Sequence, residues 1–222
     1  LTWIFIFWAN SKNLLKLELQ NEKLSDLTRR DALTGVYRID YFKEEAQRLL
    51  NTVPEKFAIV YTDFSDFKYV NDVFGYHYGD ELLSRYGQII LRGLREHEIC
   101  GRVSADNFVL LLRYEDRKEI ADRQLAADRE VLTFMNSAHH GQLLPTCCGI
   151  CCVEDVIEPL NIDGFLDRAN FARKTVKTGE NTNYTYYDES IRRHLWAEKD
   201  IESRMSAALE NREFTVYYQP KV

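Results

Sequence analysis

The 222-residue sequence contains no cluster of lysine and arginine, no low-complexity segment and no internal repeat. Its 29 basic and 35 acidic residues give a formal net charge of −6, whereas a broad nucleic-acid-binding surface needs a basic face. Nucleic acid is therefore not expected as a partner. Hydrophobic residues make up 45% and charged residues 29% of the chain, which is typical of a globular domain with a core of its own.

Four of the five cysteines lie together in residues 147–152, with the sequence Cys-Cys-Gly-Ile-Cys-Cys. Side chains alternate between the two faces of an extended segment, so these four thiols cannot converge on one tetrahedral metal ion. The sequence has no second cluster of cysteine and histidine to complete such a site. A buried strand that uses cysteine as a small hydrophobic residue is favoured, and unpaired thiols indicate a reducing compartment.

Residues 1–9 are apolar except for one threonine. They are too few to cross a bilayer, which takes about twenty residues, and no basic stretch precedes them as in a signal peptide. Their aromatic residues, followed by Lys12, predict the cytoplasmic end of a transmembrane helix. A short buried segment of the domain is the alternative.

Residues 10–30 form a polar segment with leucines at positions 14, 17 and 24 and Asn21 in the same seam. Leucines at heptad-like spacing with one buried asparagine are typical of a parallel two-stranded coiled coil, which predicts a homodimer. An amphipathic helix that lies on its own domain fits the pattern equally well.

Helical and strand patterns alternate through residues 31–188. Apolar runs predict strands at 57–61, 99–103, 108–112, 143–153 and 184–187, of which the second and third form a hairpin with four residues between them. Helical periodicity marks apolar faces over 39–50, 82–94, 121–135 and 165–176, the second after a start at Gly79-Asp80. This alternation predicts an α/β domain with a mixed central sheet flanked by helices. A linker follows over 189–213 with a charged helix at 189–211, and then a strand at 214–222 with no partner in the sequence.

Two acidic residues, Asp63 and Asp106, lie at the edges of predicted strands, and a lysine, an asparagine and a further aspartate lie between them. Carboxylates are the ligands that Mg²⁺ prefers, and amide and carboxylate groups can recognise a nucleobase by hydrogen bonds. This set of residues predicts a site for a metal ion and a nucleotide.

Three segments resemble the motifs of GGDEF domains. The segment 31–38, Asp-Ala-Leu-Thr-Gly-Val-Tyr-Arg, is similar to the opening Asp-x-Leu-Thr-Gly-x-x-Asn-Arg, with Tyr37 in the place of Asn. Residues 63–82 resemble the metal and guanine segment, and 102–108 occupy the place of the signature Arg-Tyr-Gly-Gly-Asp/Glu-Glu-Phe. The resemblance covers 31–188 and implies the nucleotidyl-cyclase fold, which is similar to a polymerase palm. Residues 214–222 resemble the first strand of an EAL domain, a cyclic di-GMP phosphodiesterase.

Active GGDEF domains are diguanylate cyclases, which join two GTP molecules into cyclic di-GMP and release two pyrophosphates. The resemblance implies that Asp63, Asp106 and the Phe64 carbonyl hold Mg²⁺ or Mn²⁺. It also implies that Asn71 and Asp80 bind guanine, and that phosphates are neutralised by two lysines, Lys68 and Lys174.

The family's inhibitory site is an Arg-x-x-Asp placed five residues before the signature. Arg95 and Glu98 have that spacing, with glutamate in the place of aspartate. A solvated helix end is the alternative interpretation, because glutamate is longer and feedback on an inactive cyclase would serve no purpose.

The signature itself departs from the family. Ser104 and Ala105 replace the two glycines, which allow positive φ and a close approach of the nucleotide. Asn107 replaces the glutamate and carries no charge, and Glu180 follows Gly179 where an arginine is expected. No catalytic residue set is therefore intact. Losing one preorganised charge-stabilising group costs about two to three orders of magnitude in rate, so we expect cyclase activity to be absent or vestigial.

The combined expectation is a degenerate domain that binds GTP with Mg²⁺ and regulates an attached EAL phosphodiesterase. It would be anchored in the bacterial inner membrane by residues 1–9, with the domain in the cytoplasm and cyclic di-GMP bound by the EAL domain. A weakly active diguanylate cyclase and a dimerisation or spacer module with an empty pocket are the alternatives.

Overall fold

The computed structural model describes residues 28–138, 146–156, 158, 160–176, 183–211 and 213–214. These include six strands, which are β1 Tyr37–Arg38, β2 Phe57–Phe64, β3 Ile99–Ser104, β4 Asn107–Arg113, β5 Thr146–Cys152 and β6 Tyr184–Tyr186. They form one sheet in the order β1-β3-β4-β2-β5-β6. The outer pairs β1–β3 and β5–β6 are parallel and the three inner pairs are antiparallel. The prediction of a mixed central sheet is confirmed.

Helices cover both faces of the sheet. They are α1 Ile39–Thr52, α2 Phe67–Phe74, α3 Tyr76–Gly93, α4 Arg117–Ala138, α5 Ile162–Lys174 and α6 Glu189–Glu210, with a 3₁₀ turn at Val153–Asp155. One core lies between the sheet and α1 and α5, and the other between the sheet and α2, α3 and α4. Because strand side chains alternate, β2 supplies both cores: Ile59 packs towards α1 and α5, and Val60 towards α3 and α4.

The cysteine-rich segment is the buried strand that the sequence predicts. Cys148, Cys151 and Cys152 of β5 are buried and Cys147 is half-buried, all as free thiols. Burial raises the pKa of the Cys148 and Cys151 thiols well above their usual value, so these side chains stay neutral and pack as small apolar groups.

Three local features differ from the predictions. Helix α3 begins at Tyr76, after Gly75 at φ +85°, so the predicted start at Gly79 is wrong and this glycine lies inside the helix. The hairpin between β3 and β4 turns through two residues, Ala105 and Asp106, and not four. The short helix α2 was not predicted, since eight residues are too few to display a clear helical period.

The predicted charged helix is present as α6, Glu189–Glu210. The predicted membrane segment 1–9, nearly all of the predicted coiled coil 10–30 and all but the first residue of the strand 214–222 lie outside the described residues. Among the helices that are described, none has both the length and the apolar character needed to cross a bilayer.

Candidate functional site

The two predicted metal-binding carboxylates meet where strand β2 ends beside the β3–β4 hairpin. Asp63 is the next-to-last residue of β2, and Asp106 lies in the turn just before β4, which pairs with β2. Burial raises the pKa of both carboxyl groups, and the negative charge of Asp106 raises the pKa of Asp63 further. The backbone N–H of Phe64 donates to Asp106 and partly offsets the rise in the pKa of Asp106. The structure thus places Asp63, Phe64 and Asp106 at the same end of the β2–β4 pair.

A residue that sequence reasoning missed, Arg173, binds one of these carboxylates. Its Nη1 donates to Asp63 Oδ2 from the last turn of helix α5. Its Nε and Nη2 donate to Asn170 Oδ1 at 3.1 and 3.0 Å. The guanidinium carbon lies 5.4 Å from the centroid of the Tyr61 ring. The charge of Arg173 lowers the pKa of Asp63 against the larger effect of burial.

A glycine in the cysteine-rich strand sets the position of Arg173. A Cβ atom on Gly149 would lie 1.8 Å from the Ala169 carbonyl oxygen and 2.3 Å from the Arg173 nitrogen. Both are backbone atoms of α5, so only glycine permits this approach of helix to sheet. Gly149 is opposite Tyr61 in the β2–β5 register. The end of α5 therefore lies over the strand that carries Asp63. An isolated glycine inside a predicted strand was the signal that could have indicated this contact.

The carboxylates as arranged do not fit a preformed site for Mg²⁺ or Mn²⁺. Asp63 Oδ2 already accepts from Arg173, which leaves Asp106 and the Phe64 carbonyl as the only predicted ligands without an arginine on them. No group of three or more histidine, cysteine, aspartate or glutamate side chains suited to a metal ion occurs in the part of the chain that the structure describes. The metal ion therefore remains a prediction that this geometry does not support.

The predicted guanine-binding residues lie at the junction of α2 and α3. A Cβ on Gly79 would be 2.1 Å from Asn71 Oδ1, so the asparagine side chain rests directly on this glycine, one position before Asp80. Asp80 is exposed and borders a cavity of about 430 Å³, together with Leu33 and Phe134. The amide of Asn71 and the carboxylate of Asp80 thus come from consecutive helices, and these are the group types that can pair with a guanine edge.

The two predicted phosphate-binding lysines lie close in the fold to the carboxylates. Lys68 is exposed in the first turn of α2, four residues beyond the end of β2, and Lys174 is exposed at the end of α5, next to Arg173. Gly179 and Glu180, which replace the expected glycine and arginine, lie outside the described residues.

The hairpin tip shows what the two lost glycines change. Ala105 has φ +44°, in the left-handed region that favours glycine, whereas Ser104 is an exposed residue of strand β3. The positive φ that the family's glycines allow thus occurs at Ala105 and not at Ser104. Asn107 begins β4, and its amide nitrogen lies 3.4 Å from both the Ser104 carbonyl oxygen and Asp106 Oδ1. It contacts the turn as a neutral group where the family has a carboxylate.

The proposed inhibitory pair is divided between two different contacts. The Glu98 side chain is fully buried and accepts from the Arg95 and Arg113 backbone N–H groups at 2.7 and 3.0 Å. It also accepts from Arg123 Nη1 and Nη2 at 2.8 and 2.6 Å. The Arg95 side chain is exposed and pairs with Glu119 at 2.5 Å. The interpretation of Glu98 as part of a solvated helix end is wrong, because this carboxylate is an internal ion-pair partner.

The mixed sheet, its helical layers and a carboxylate site beside a hairpin define an α/β domain of the nucleotidyl-cyclase kind. Residues 28–181 match the family described as diguanylate cyclase, GGDEF domain, and the chain therefore belongs to this family.

Relatives include the cyclic di-GMP phosphodiesterase PdeR of Escherichia coli, 23% identical over 90% of this chain. The bifunctional diguanylate cyclase/cyclic di-GMP phosphodiesterase MucR of Pseudomonas aeruginosa is 26% identical over 91% of it. The chain spans only 30% of the length of each.

Among solved structures, the coiled coil and GGDEF domain of DgcB from Caulobacter crescentus, in complex with c-di-GMP, has a TM-score of 0.67 at 18% identity. The matched region covers 80% of this chain and 95% of the DgcB chain. The GGDEF domain of PA1120 from Pseudomonas aeruginosa gives 0.59 at 23% identity, covering 75% and 99%. At these identities the likeness shows the fold alone.

Proposed function

We propose that this domain is a catalytically inactive GGDEF domain that binds GTP and regulates an attached EAL phosphodiesterase in cyclic di-GMP signalling. The observation that carries the proposal is the unequal state of the two halves of the site. Asn71 at the α2–α3 junction and the exposed Asp80 of α3 are both retained, whereas the reaction half carries Ala105 at φ +44° and the neutral Asn107.

Loss of turnover follows from how diguanylate cyclases work. Their reaction needs cations that absorb charge on the α-phosphate and activate the attacking hydroxyl. In this chain Asp63 is bound to Arg173, and Asn107 offers no second anion at the hairpin. The residues that would hold GTP can act without those that would transfer its nucleotidyl group.

A route from the site to the C-terminal helix supports regulation. Arg173 and Lys174 lie at the end of α5, and Arg168 of the same helix places its guanidinium carbon 5.8 Å from the Tyr187 ring centroid. The Tyr187 hydroxyl donates to Glu189 Oε2 at 2.8 Å, at the start of α6. Regulation requires that GTP binds two arrangements of this contact with different affinities.

An attached EAL domain is proposed from two observations. Residues 214–222 resemble the first strand of such a domain, and PdeR, which is named a phosphodiesterase, is about three times as long as this chain. The membrane anchor at 1–9, the inner-membrane location and dimerisation through 10–30 are proposed on sequence patterns alone.

Titration calorimetry with GTP tests the proposal. We expect binding by the native domain and a loss of at least about tenfold in affinity for Asp80→Ala, because the guanine N–H groups would lose the carboxylate that accepts their hydrogen bonds. Asp72→Ala, which removes an exposed aspartate from neighbouring α2, is the matched control and should bind as the native domain does. ATP should bind more weakly than GTP.

Two further measurements decide between the alternatives. Chromatography after incubation with GTP and Mn²⁺ should detect no cyclic di-GMP, and turnover there would support the weakly active cyclase, which the adjacent Asp63 and Asp106 favour. If GTP leaves the melting temperature unchanged, the domain is a spacer, since a ligand at 100 times its dissociation constant adds about 2.7 kcal/mol of stability.

In the full-length protein, phosphodiesterase activity should change with GTP for the native site and not for Asp80→Ala.

A further inference from the structure

We infer that Arg173 acts as a tethered cation on the Asp63 carboxylate and excludes a divalent metal ion from this site. The inference goes beyond the proposed function and does not depend on GTP binding, because it concerns the carboxylates in the absence of nucleotide. It rests on the contacts of one guanidinium group and on the way the fold places it.

The Arg173 guanidinium is held on several sides. Nη1 donates to Asp63, while Nε and Nη2 both donate to Asn170 Oδ1 at 3.1 and 3.0 Å. The Tyr61 ring lies beside it, with 5.4 Å between guanidinium carbon and ring centroid. Asn170 belongs to the preceding turn of α5, so the helix itself orients the arginine. These contacts reduce the entropy that Arg173 would lose on binding Asp63.

The fold forces the arginine into this position. Gly149 lets the backbone of α5 come within the space that a Cβ atom would fill, at Ala169 and at Arg173. The helix end therefore cannot move away from β5 without opening a gap in the core that Ala169 and Ala172 fill. Arg173 is positioned by rigid elements and not by a loop.

The pair is also shielded from water. Only 17% of the Arg173 side chain and 21% of the Asp63 side chain are exposed. Ion pairs at such positions are less screened than surface pairs, and removing one partner leaves the other charge without compensation. A divalent ion that bound Asp63 would have to displace Arg173 and leave it half-buried beside a second positive charge.

Arg173 is bound to Asp63, and its positive charge also acts on Asp106, which lies in the turn beside the end of β2. The attraction that two neighbouring carboxylates would exert on a metal ion is thus already reduced by a cation of the protein. Mg²⁺ loses its bound water reluctantly, which weakens its competition further.

Electron paramagnetic resonance of Mn²⁺ tests the inference without nucleotide and without an activity. Free Mn²⁺ is measured during titration of the native chain, of Arg173→Met and of Arg129→Ala. Methionine keeps an unbranched aliphatic side chain and removes the charge. Arg129 is an exposed arginine of α4. Arg129→Ala therefore removes one positive charge, as the Arg173 variants do, but leaves the arginine that binds Asp63 in place. Arg173→Gln is measured in parallel, so that the result does not depend on one variant remaining folded.

We expect Arg173→Met and Arg173→Gln to bind one Mn²⁺ at least about tenfold more tightly than the native chain, because the guanidinium charge that competes with the ion for Asp63 is absent. Arg129→Ala should bind Mn²⁺ as the native chain does. Equal affinity of the native chain and the Arg173 variants would overturn the inference. Failure of all four proteins to bind Mn²⁺ would overturn it too, since something other than Arg173 would then exclude the ion. Neither outcome bears on whether GTP binds, which the calorimetry of Asp80→Ala decides separately.

Discussion

Asp31 and Arg102 join the loop before β1 to the signature hairpin. Arg102 Nη1 donates to Asp31 Oδ1 at 2.9 Å, and Nε and Nη2 of the same guanidinium donate to the Ala105 carbonyl at 2.9 and 2.6 Å. Asp31 Oδ1 also accepts from the Thr34 backbone N–H at 3.0 Å and hydroxyl at 2.7 Å. One carboxylate therefore fixes the Asp-x-Leu-Thr-Gly turn and, through Arg102, the hairpin tip.

Replacing Asp31 by asparagine should destabilise the domain. Burial opposes ionisation of Asp31, but the hydrogen bonds from Thr34 and Arg102 outweigh it and hold the pKa below its usual 3.8. A carboxyl group with a lowered pKa stabilises the fold above its unfolded-state pKa, and this contribution is lost as the pH falls through the folded-state value. We expect Asp31→Asn to lower the free energy of unfolding by about 2 kcal/mol at pH 7, the usual contribution of hydrogen bonds to a charged group.

Urea denaturation at pH 7, 5 and 3.5 measures this effect. The difference from the native domain should be constant between pH 7 and 5 and become smaller at pH 3.5. Asp122→Asn, at an exposed position of α4, should change stability by less than about 0.5 kcal/mol. Equal losses in the two variants would show that Asp31 has no special structural role.

A second prediction concerns Glu98, whose buried carboxylate pairs with Arg123. The hydrogen bonds and charge of Arg123, together with two backbone N–H groups, outweigh burial and lower the pKa of Glu98. Glu98→Gln leaves the Arg123 guanidinium without its anion, and we expect a loss of about 3 kcal/mol in the free energy of unfolding. Arg95→Ala should cost less than about 1 kcal/mol, because the Arg95–Glu119 pair is largely exposed.

Chemical denaturation of both variants tests this contrast. The stability that Glu98 contributes should be present at neutral pH and decline as the pH falls below its usual value of 4.5. A small effect of Glu98→Gln together with a large effect of Arg95→Ala would contradict the structural role of Glu98.

The sequence predicts those features that depend on local pattern. The apolar run of β2 and the helical period of α3 and α5 are visible in single segments, and the mixed sheet follows from their alternation. The burial of the cysteine strand was predicted because alternation of side chains rules out a shared metal ion. The resemblance to GGDEF motifs assigned Asn71 and Asp80 to one site, and the fold places them on consecutive helices, with Asn71 against Gly79, the residue before Asp80.

The arginine at the carboxylate site depends on contacts that no local pattern contains. Arg173 binds a residue 110 positions earlier in the chain, and the approach of α5 is set by Gly149 on a third element. A lysine and arginine at the end of a helix are also typical of a favourable interaction with the helix dipole, so their spacing alone did not distinguish Arg173. Glu98 was misjudged for the same reason, because its partner Arg123 lies 25 residues away.

A third prediction uses the two positions where the signature has lost glycine. Ala105 has φ +44°, where a left-handed conformation costs a residue with a side chain about 1–2 kcal/mol. Ala105→Gly should therefore raise the free energy of unfolding by about 0.5–1 kcal/mol after the entropy cost of glycine. Ser104 lies in strand β3, so Ser104→Gly should lower it by about 0.5–1 kcal/mol. Urea denaturation of the two variants should give opposite signs, and the same sign in both would be inconsistent with this geometry.

The last prediction compares two glycines of helix α3. A Cβ on Gly79 would be 2.1 Å from Asn71 Oδ1, whereas one on Gly93 would have nothing within 4 Å. Gly93→Ala should be neutral or stabilise by up to about 1 kcal/mol, the usual helix preference for alanine. Gly79→Ala must displace the Asn71 side chain. Because that side chain is flexible, we expect the fold to survive with a loss of about 1–2 kcal/mol.

The two alanine variants also separate stability from binding. If Asn71 recognises guanine, Gly79→Ala should weaken GTP binding at least about tenfold in calorimetry, since the amide can no longer rest against residue 79, whereas Gly93→Ala should bind as the native domain does. A folded Gly79→Ala domain with native affinity would remove Asn71 from the binding site. Weakened binding by both variants would point to a general change in α3 and not to the α2–α3 junction, because of these two glycines Gly79 lies against the Asn71 side chain and Gly93 does not.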